Sequence, residues 1–138
     1  TLFRSMKYSI QFIDQKTNIH YTRCEDEVLT DVQWCTIMIE QILNNALKYA
    51  RGKDIWITFN NENQVLSIRD NGVGISKADL PKIFDKGYSG YNGRLHQHSS
   101  GIGLFIVKHI SAHLHHKVEV SSTLNEGTTF DIHFPENN

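Results

Sequence analysis
The chain has 138 residues, enough for one domain with a single hydrophobic core and no need of disulfide or metal staples. A hydrophobic fraction of 39% with 21% charged residues excludes a disordered or fibrous chain, and a net charge of −1 offers no overall attraction to nucleic acid or an anionic membrane. No apolar run approaches the roughly 20 residues that cross a bilayer, and no signal-peptide pattern is present. Cys24 and Cys35 lack CxxC spacing and read as reduced thiols, Cys35 inside a helix. The chain is therefore expected to be cytoplasmic. Its abrupt start at Thr1-Leu2-Phe3-Arg4 is expected to be a break within a longer protein.

Leu2, Phe3, Met6, Ile10 and Ile13 recur at helical spacing and predict an amphipathic leading helix over residues 2–16. Alternation from Asn18 to Arg23 predicts a strand, with a short partner near Val28-Leu29. Asp31 is a good N-cap for the longest helix, residues 32–50, whose apolar positions are Trp34, Ile37, Met38, Ile42, Leu43, Ala46 and Leu47. Ile55–Phe59 and Val65–Ile68 flank the polar turn Asn60-Asn61-Glu62-Asn63 and read as a hairpin. A helical turn around Ser76–Leu80 leads into residues 84–100, rich in Gly, Ser, Asn and His and long for a loop. A helix over 102–115 and two strands, 117–123 and 128–134, complete the chain. This order of helices and antiparallel hairpins predicts an α+β fold, a two-layer α/β sandwich in one domain.

Four segments carry polar chemistry. In Asn44-Asn45-Ala46-Leu47-Lys48-Tyr49, Asn45 shares a helix face with Lys48 or with Tyr49, so an amide oxygen and an ammonium can serve a phosphate-bound cation and the phosphates themselves. In Asp70-Asn71-Gly72-Val73-Gly74-Ile75 the glycines admit close backbone approach, and the acceptor-only carboxylate suits an exocyclic amine. Alone, that string is more often just a turn, and it is no Walker loop because no Gly-Lys-Ser/Thr follows. Ser99-Ser100-Gly101-Ile102-Gly103-Leu104 opens a helix, where amides and dipole attract phosphate oxygens. Glu126-Gly127-Thr128-Thr129-Phe130 by itself is a hairpin turn.

In this order and spacing, from Asp31 to Phe134, the four segments resemble the nucleotide-binding boxes of the superfamily that joins histidine kinases, gyrase, heat-shock chaperones and MutL. The Asn-Ala-Leu-Lys-Tyr string and Pro81-x-Ile83-Phe84 resemble the histidine kinase branch. Gln41 and the run from Gly87 to Arg94 are similar to its short-sensor subgroup, which answers envelope stress and peptide antibiotics. The resemblance implies a Bergerat-type sandwich, a mixed but mostly antiparallel sheet covered on one face by three helices, with residues 84–100 as a mobile ATP lid. It implies ATP and Mg²⁺ as ligands, with Asn45 holding the metal and Asn44 and Gln41 nearby. Lys48 would reach phosphate and Tyr49 would line the base pocket. Asp70 would hold the adenine amine within a pocket shaped by Gly72, Gly74 and Ile75. Thr129 would support the adjoining water, and Phe84 would anchor the lid. Gly101, Gly103 and Leu104 would bring amides onto the phosphates, with Lys86 and Arg94 as candidate cations near the γ-phosphate.

Hydrolytic relatives place a glutamate four residues before the metal asparagine. Here that position is Gln41, whose amide takes no proton at neutral pH, and Glu40 is turned about 100° around the helix. Transfer of the γ-phosphoryl group to another nucleophile is therefore expected over hydrolysis. The resemblance makes that nucleophile a histidine on a dimerisation domain, with relay to a response regulator. None of the eight histidines here has the family's acceptor context. The chain would thus be a catalytic domain, monomeric when isolated, from a membrane sensor kinase. The competing readings are a free-standing serine kinase of the anti-sigma type and a nucleotide-binding module without catalysis.

Overall fold
A computed structural model describes residues 18–21, 30–50, 53–88 and 102–135. The predicted leading helix over 2–16, the strand partner near Val28-Leu29 and most of the predicted lid fall outside the described residues. The elements are β1 (Asn18–Tyr21), α1 (Val32–Ala50), β2 (Asp54–Asn60), β3 (Val65–Asp70), a 3-10 turn (Leu80–Lys82), α2 (Gly103–Leu114), β4 (Lys117–Thr123) and β5 (Gly127–His133). The expected helical turn around Ser76–Leu80 is present, the Asp79 and Leu80 amides donating to the Ser76 carbonyl at 3.1 and 3.0 Å, and it runs on into the 3-10 turn, where Pro81 sits at a first-turn position in which a fixed φ and a missing N–H cost nothing.

The strands form one sheet in the order β1-β2-β3-β5-β4. The β1–β2 pair is parallel, as the α1 crossover between them permits, and the remaining pairs are antiparallel. Side chains opposite one another across a ladder share a face. One face therefore carries three rows: Phe59, Leu66, Ile132 and Val118; then Ile57, Ile68, Phe130 and Val120; then Ile55, Asp70, Thr128 and Ser122. Most residues of the first two rows are buried beneath α1 and α2, and each fully buried aliphatic or aromatic side chain contributes about 1.5–3 kcal/mol. Two described helices, α1 and α2, cover this face.

The other face is polar. There Trp56 stacks on His20 at 5.5 Å between centroids, and the Arg69 guanidinium lies 4.3 Å from the Trp56 ring centroid. His20 Nε2 also meets Asp54 Oδ1 at 2.9 Å, joining β1 to β2.

Helix α1 starts at the predicted cap. The Trp34 amide donates to Asp31 Oδ1 at 3.1 Å, and the Cys35 amide donates to the Asp31 carbonyl at 2.9 Å. Its inward stripe is Cys35, Met38, Ile39, Ile42, Leu43, Ala46 and Ala50. Burial pushes the Cys35 thiol up to about 12, so this cysteine is an inert core residue. Trp34 and Ile37, expected on the apolar face, instead point outward, because at 100° per residue they lie well around the helix from that stripe.

Candidate functional site
The last turns of α1 and the end of β3 meet at one edge of the helix-covered face. Asp70 is the final residue of β3 and only 3% exposed, in the innermost polar row of the sheet. Its Oδ1 accepts the Gly72 amide at 2.8 Å. Burial raises its pKa above the usual carboxylate value, and hydrogen bonds from the Gly72 and Thr128 amides oppose that rise. A buried acceptor-only group at the end of a strand is suited to a donor arriving from outside, such as an amine.

The loop after Asp70 passes directly under the end of α1. The Val73 amide donates to the Tyr49 carbonyl at 3.2 Å, and a Cβ built on Gly72 would stand 2.1 Å from that same oxygen. No residue other than glycine fits between strand end and helix end here. Gly74, at φ +74°, packs against the Thr123 carbonyl in the β4–β5 turn, and the Asn125 amide donates to the Val73 carbonyl at 2.8 Å. Asn71 ties the loop to β2, its Oδ1 accepting the Asp54 amide at 2.8 Å. The Asp70–Ile75 segment is thus fastened to α1, β2 and β4 together.

The last turns of α1, which meet this loop at Tyr49 and Ala50, carry three polar groups. Asn45 and Lys48 are half-buried, and Asn44 is exposed. The Lys48 Nζ lies 5.0 Å from the Tyr49 ring centroid, and burial lowers its pKa. Burial, with the charge of Asp79 adding to it, raises that of Tyr49. Tyr88 shares a hydrogen bond with Asp79, and burial, the Asp79 charge and that bond push its hydroxyl up to about 12. Asp79 thus acts on Tyr49, at the end of α1, through its charge, and on Tyr88, in the segment that carries Phe84, through charge and a hydrogen bond. Phe84 itself meets Phe130 edge-on, with ring centroids 6.5 Å apart at 86°. Leu104 and Ile75 pack on the core. Gln41 Oε1 lies 2.9 Å from the place a Cβ on Gly103 would occupy, so the start of α2 rests against the glutamine one turn before Asn45.

One expected site residue needs correction. Thr129 pairs with Arg69 and Ser121, which puts its side chain on the face of the sheet opposite to Asp70. Thr128 stands in its place, buried and in register with Asp70. Ser122, which the sequence reading missed, joins it. The Ser122 hydroxyl donates to the Gly127 carbonyl at 2.9 Å and accepts the Ile75 amide at 2.7 Å, so the 2.8 Å contact between the two hydroxyls has Thr128 as donor. The Thr128 oxygen keeps its lone pairs for an acceptor role. Strand alternation carried the signal: with Phe130 inward, Thr128 is inward and Thr129 outward. Thr128→Val is expected to weaken nucleotide binding several-fold through loss of one hydrogen-bonding hydroxyl, worth about 1 kcal/mol, whereas Thr129→Val leaves affinity unchanged. Calorimetric titration of both variants with ATP checks the contrast.

Lys86 is exposed, two residues beyond Phe84. Arg94 and Gly101 lie outside the described residues. Of the carboxy-terminal histidines, His116 is buried, its Nε2 2.7 Å from Thr30 Oγ1, and no group of three or more His, Cys, Asp or Glu among the described residues is placed to hold a metal.

This sandwich, with its buried strand-end aspartate beneath the amide-bearing end of a helix, defines a class. Residues 30–138 match the family described as histidine kinase-, DNA gyrase B-, and HSP90-like ATPase, and the chain belongs to that family. ATP is the ligand this membership assigns to the domain. Among curated proteins it is 44% identical over 128 residues to the sensor histidine kinase GraS of Staphylococcus haemolyticus, covering 91% of this chain and 35% of that protein. It is 38% identical over 132 residues to the sensor histidine kinase YxdK of Bacillus subtilis, covering 92% of this chain and 41% of that protein. The chain thus spans well under half the length of these relatives. Among solved structures, the mycobacterial sensor histidine kinase MprB superposes with a TM-score of 0.75 at 20% identity, covering 97% of this chain and 91% of that one. The catalytic domain of the histidine kinase ThkA does so at 0.76 and 20%, with the same coverages. Both likenesses concern the fold.

Proposed function
We propose that residues 1–138 are the ATP-binding catalytic domain of a membrane sensor histidine kinase, of the envelope-stress subgroup to which the GraS and YxdK resemblance points. The observation that supports this reading is the contact of Gly72 with the Tyr49 carbonyl, which sets the loop after Asp70 against the end of α1. Asp70 receives the adenine amine, Thr128 and Ser122 hold the polar row beside it, and Tyr49 walls the base. Lys48 reaches the phosphates, with further amides and cations from the Phe84–Leu104 segment, Lys86, Arg94, Gly101 and Gly103 among them.

The donor set fits Mg²⁺ carried in on the nucleotide. Mg²⁺ keeps several waters and binds through one or two protein oxygens plus substrate phosphates, and α1 presents the amide oxygens of Gln41 and Asn45 one turn apart. When bound, the ion neutralises charge on the β- and γ-phosphates. Gln41, next to Gly103, orients but does not deprotonate, so a water at the γ-phosphate meets no base from this position. An imidazole nitrogen of an acceptor histidine attacks the γ-phosphorus in line. The bond to the β,γ-bridging oxygen breaks, a P–N bond forms, ADP departs, and the ring's N–H proton passes to solvent. The phosphohistidine then supplies a response regulator. Among the described residues no helix is long and apolar enough to cross a membrane.

The kinase incubated with Mg·ATP is expected to form phosphate that is labile in acid and stable in base, on histidine. Transfer to serine, or nucleotide binding without transfer, would sink this reading. Asn45→Ala is expected to lower Mg²⁺-dependent nucleotide affinity by about 10- to 100-fold, as loss of a metal-supporting group does, with little change in the metal-free affinity. Titration with and without EDTA separates the two effects.

A further inference from the structure
Beside the proposed site, Gln41 of α1 rests against Gly103 at the start of α2. At the other end of this helix pair the link is a histidine. His116 follows the last turn of α2, and its Nε2 lies 2.7 Å from Oγ1 of Thr30, the residue before the Asp31 cap of α1. Its ring meets Phe134 edge-on, with centroids 5.0 Å apart, so one imidazole joins α1, α2 and the residue after β5. The chain turns the ring inward at His115, whose backbone is left-handed (φ 58°) where glycine is usual, and the His116 amide donates to the Ser111 carbonyl at 3.0 Å.

This position suits a neutral ring and not a cation. His116 is 4% exposed, and its Nδ1 is buried without a hydrogen bond of good geometry. Burial lowers its pKa; the His115 carbonyl opposes that fall, and the charge of His115 adds to it. The groups around it supply no counter-ion. On the α1 side Asp31 is exposed, with its Oδ1 on the Trp34 amide, and Cys35, which Thr30 also hydrogen-bonds, is a neutral thiol. On the sheet side Lys117 pairs with Glu119 at 2.8 Å, and His133 stands 3.8 Å from the same carboxylate. Those three residues lie on the face opposite to Val118 and Ile132. His116 also borders a cleft of about 560 Å³ between α2 and β4, open to solvent and walled by Phe84, Lys108, Ser111, His115 and Val118, with no carboxylate in its lining. An imidazolium is hydrated in that cleft, whereas between Thr30 and Phe134 it is a buried charge without a partner.

We propose that His116 is an acid-operated latch between the two helices that carry the nucleotide site. Neutral, the ring sits between Thr30 and Phe134 and holds the start of α1 to the end of α2. Protonated from solvent, it turns out into the cleft, and the helices are free to shift where Gln41 meets Gly103. The sign follows from the lowered folded-state pKa: the latch contributes stability above the ordinary imidazole value, about 6.5, and loses it as pH falls through the folded value. Because coupling is reciprocal, a nucleotide that favours the latched form makes the ring harder to protonate. The inference goes beyond the kinase reading and uses only the ATP site that the family assigns.

The test compares the protein with His116→Gln, whose amide nitrogen can take the place of Nε2 but does not titrate. Between about pH 7.5 and about pH 5.5 the parent is expected to lose affinity for a fluorescent ATP analogue by about 3- to 10-fold more than the variant, ten being the limit for one proton taken up over one unit below about pH 6.5. Protonation of the analogue itself is common to both proteins and cancels. In NMR spectra of the parent, saturating analogue is expected to lower the titration midpoint of the His116 ring by about half a unit or more, the same coupling read from the other side. Losses in parent and variant that agree within about twofold overturn the proposal. So does a ring midpoint at or above the ordinary value, or one that the analogue leaves in place. If His116→Gln fails to fold, the midpoints of the parent ring with and without analogue decide by the same criteria.

Discussion

Asp70→Asn is expected to lower affinity for Mg·ATP by about 10- to 150-fold, the equivalent of a charge-assisted hydrogen bond worth about 1.5–3 kcal/mol. The carboxylate is buried and acceptor-only, whereas an asparagine can turn an NH₂ toward the adenine amine. Discrimination against GTP should narrow for the same reason, because the carboxylate repels the guanine oxygen. Stability should move the other way. The folded-state pKa of Asp70 is raised, chiefly by burial. A group raised in this sense contributes stability that is fully present below its unfolded value and lost as pH rises through its folded value. At neutral pH the unliganded domain therefore bears a desolvated charge that the asparagine variant lacks. The variant is expected to melt at or above the parent temperature, with a flatter pH dependence just above the ordinary carboxylate range. Calorimetry with ATP and GTP, and melting curves across that range, read both effects. Parental ATP affinity in the variant would remove Asp70 from the base pocket.

Gly72→Ala is expected to destabilise the domain by about 3 kcal/mol, at the upper end for overpacking, because the new methyl would meet backbone rather than a flexible side chain. Its Cβ would lie 2.1 Å from the Tyr49 carbonyl oxygen and 2.7 Å from the Ala50 Cα. Relief requires the end of α1 to part from the loop after β3. That movement breaks the Val73–Tyr49 hydrogen bond and separates Lys48 and Tyr49 from Asp70. A fall of about 10 °C in melting temperature is expected for a domain of this size, together with loss of nucleotide binding that saturating ATP does not restore. Retention of full affinity would show that the two halves of the site are not coupled through Gly72.

Local features of the fold were legible because their signals are local. The Asp31 cap, the hairpin about residues 60–63 and the closing pair of strands rest on side-chain hydrogen bonding and on periods of 3.6 and 2. The same period would have chosen Thr128 over Thr129, had it been counted back from Phe130. Ser122 was a different matter. Nothing local marks a serine in a polar strand, and its part became visible only when the β4–β5 register set it opposite Thr128. The parallel pairing of β1 with β2 likewise depends on the α1 crossover and not on residues 18–21 themselves. The hydrophobicity of Trp34 and Ile37 suggests the apolar face, but hydrophobicity carries no direction, and both point outward.

The chain by itself determined the inventory: an amide-bearing helix end, an aspartate followed by two glycines, a third glycine opening a helix, and a glutamine where a catalytic glutamate would stand. Those are properties of single residues and short spacings. Convergence belonged to the tertiary structure. It put Asp70, Thr128 and Ser122 in one row, carried the Asp70 loop under Tyr49, and set Gly103 against Gln41, all of them contacts between residues far apart in sequence. Local preferences are degenerate with respect to which elements pair and in what register, and only packing of the whole sheet against α1 and α2 removes that degeneracy.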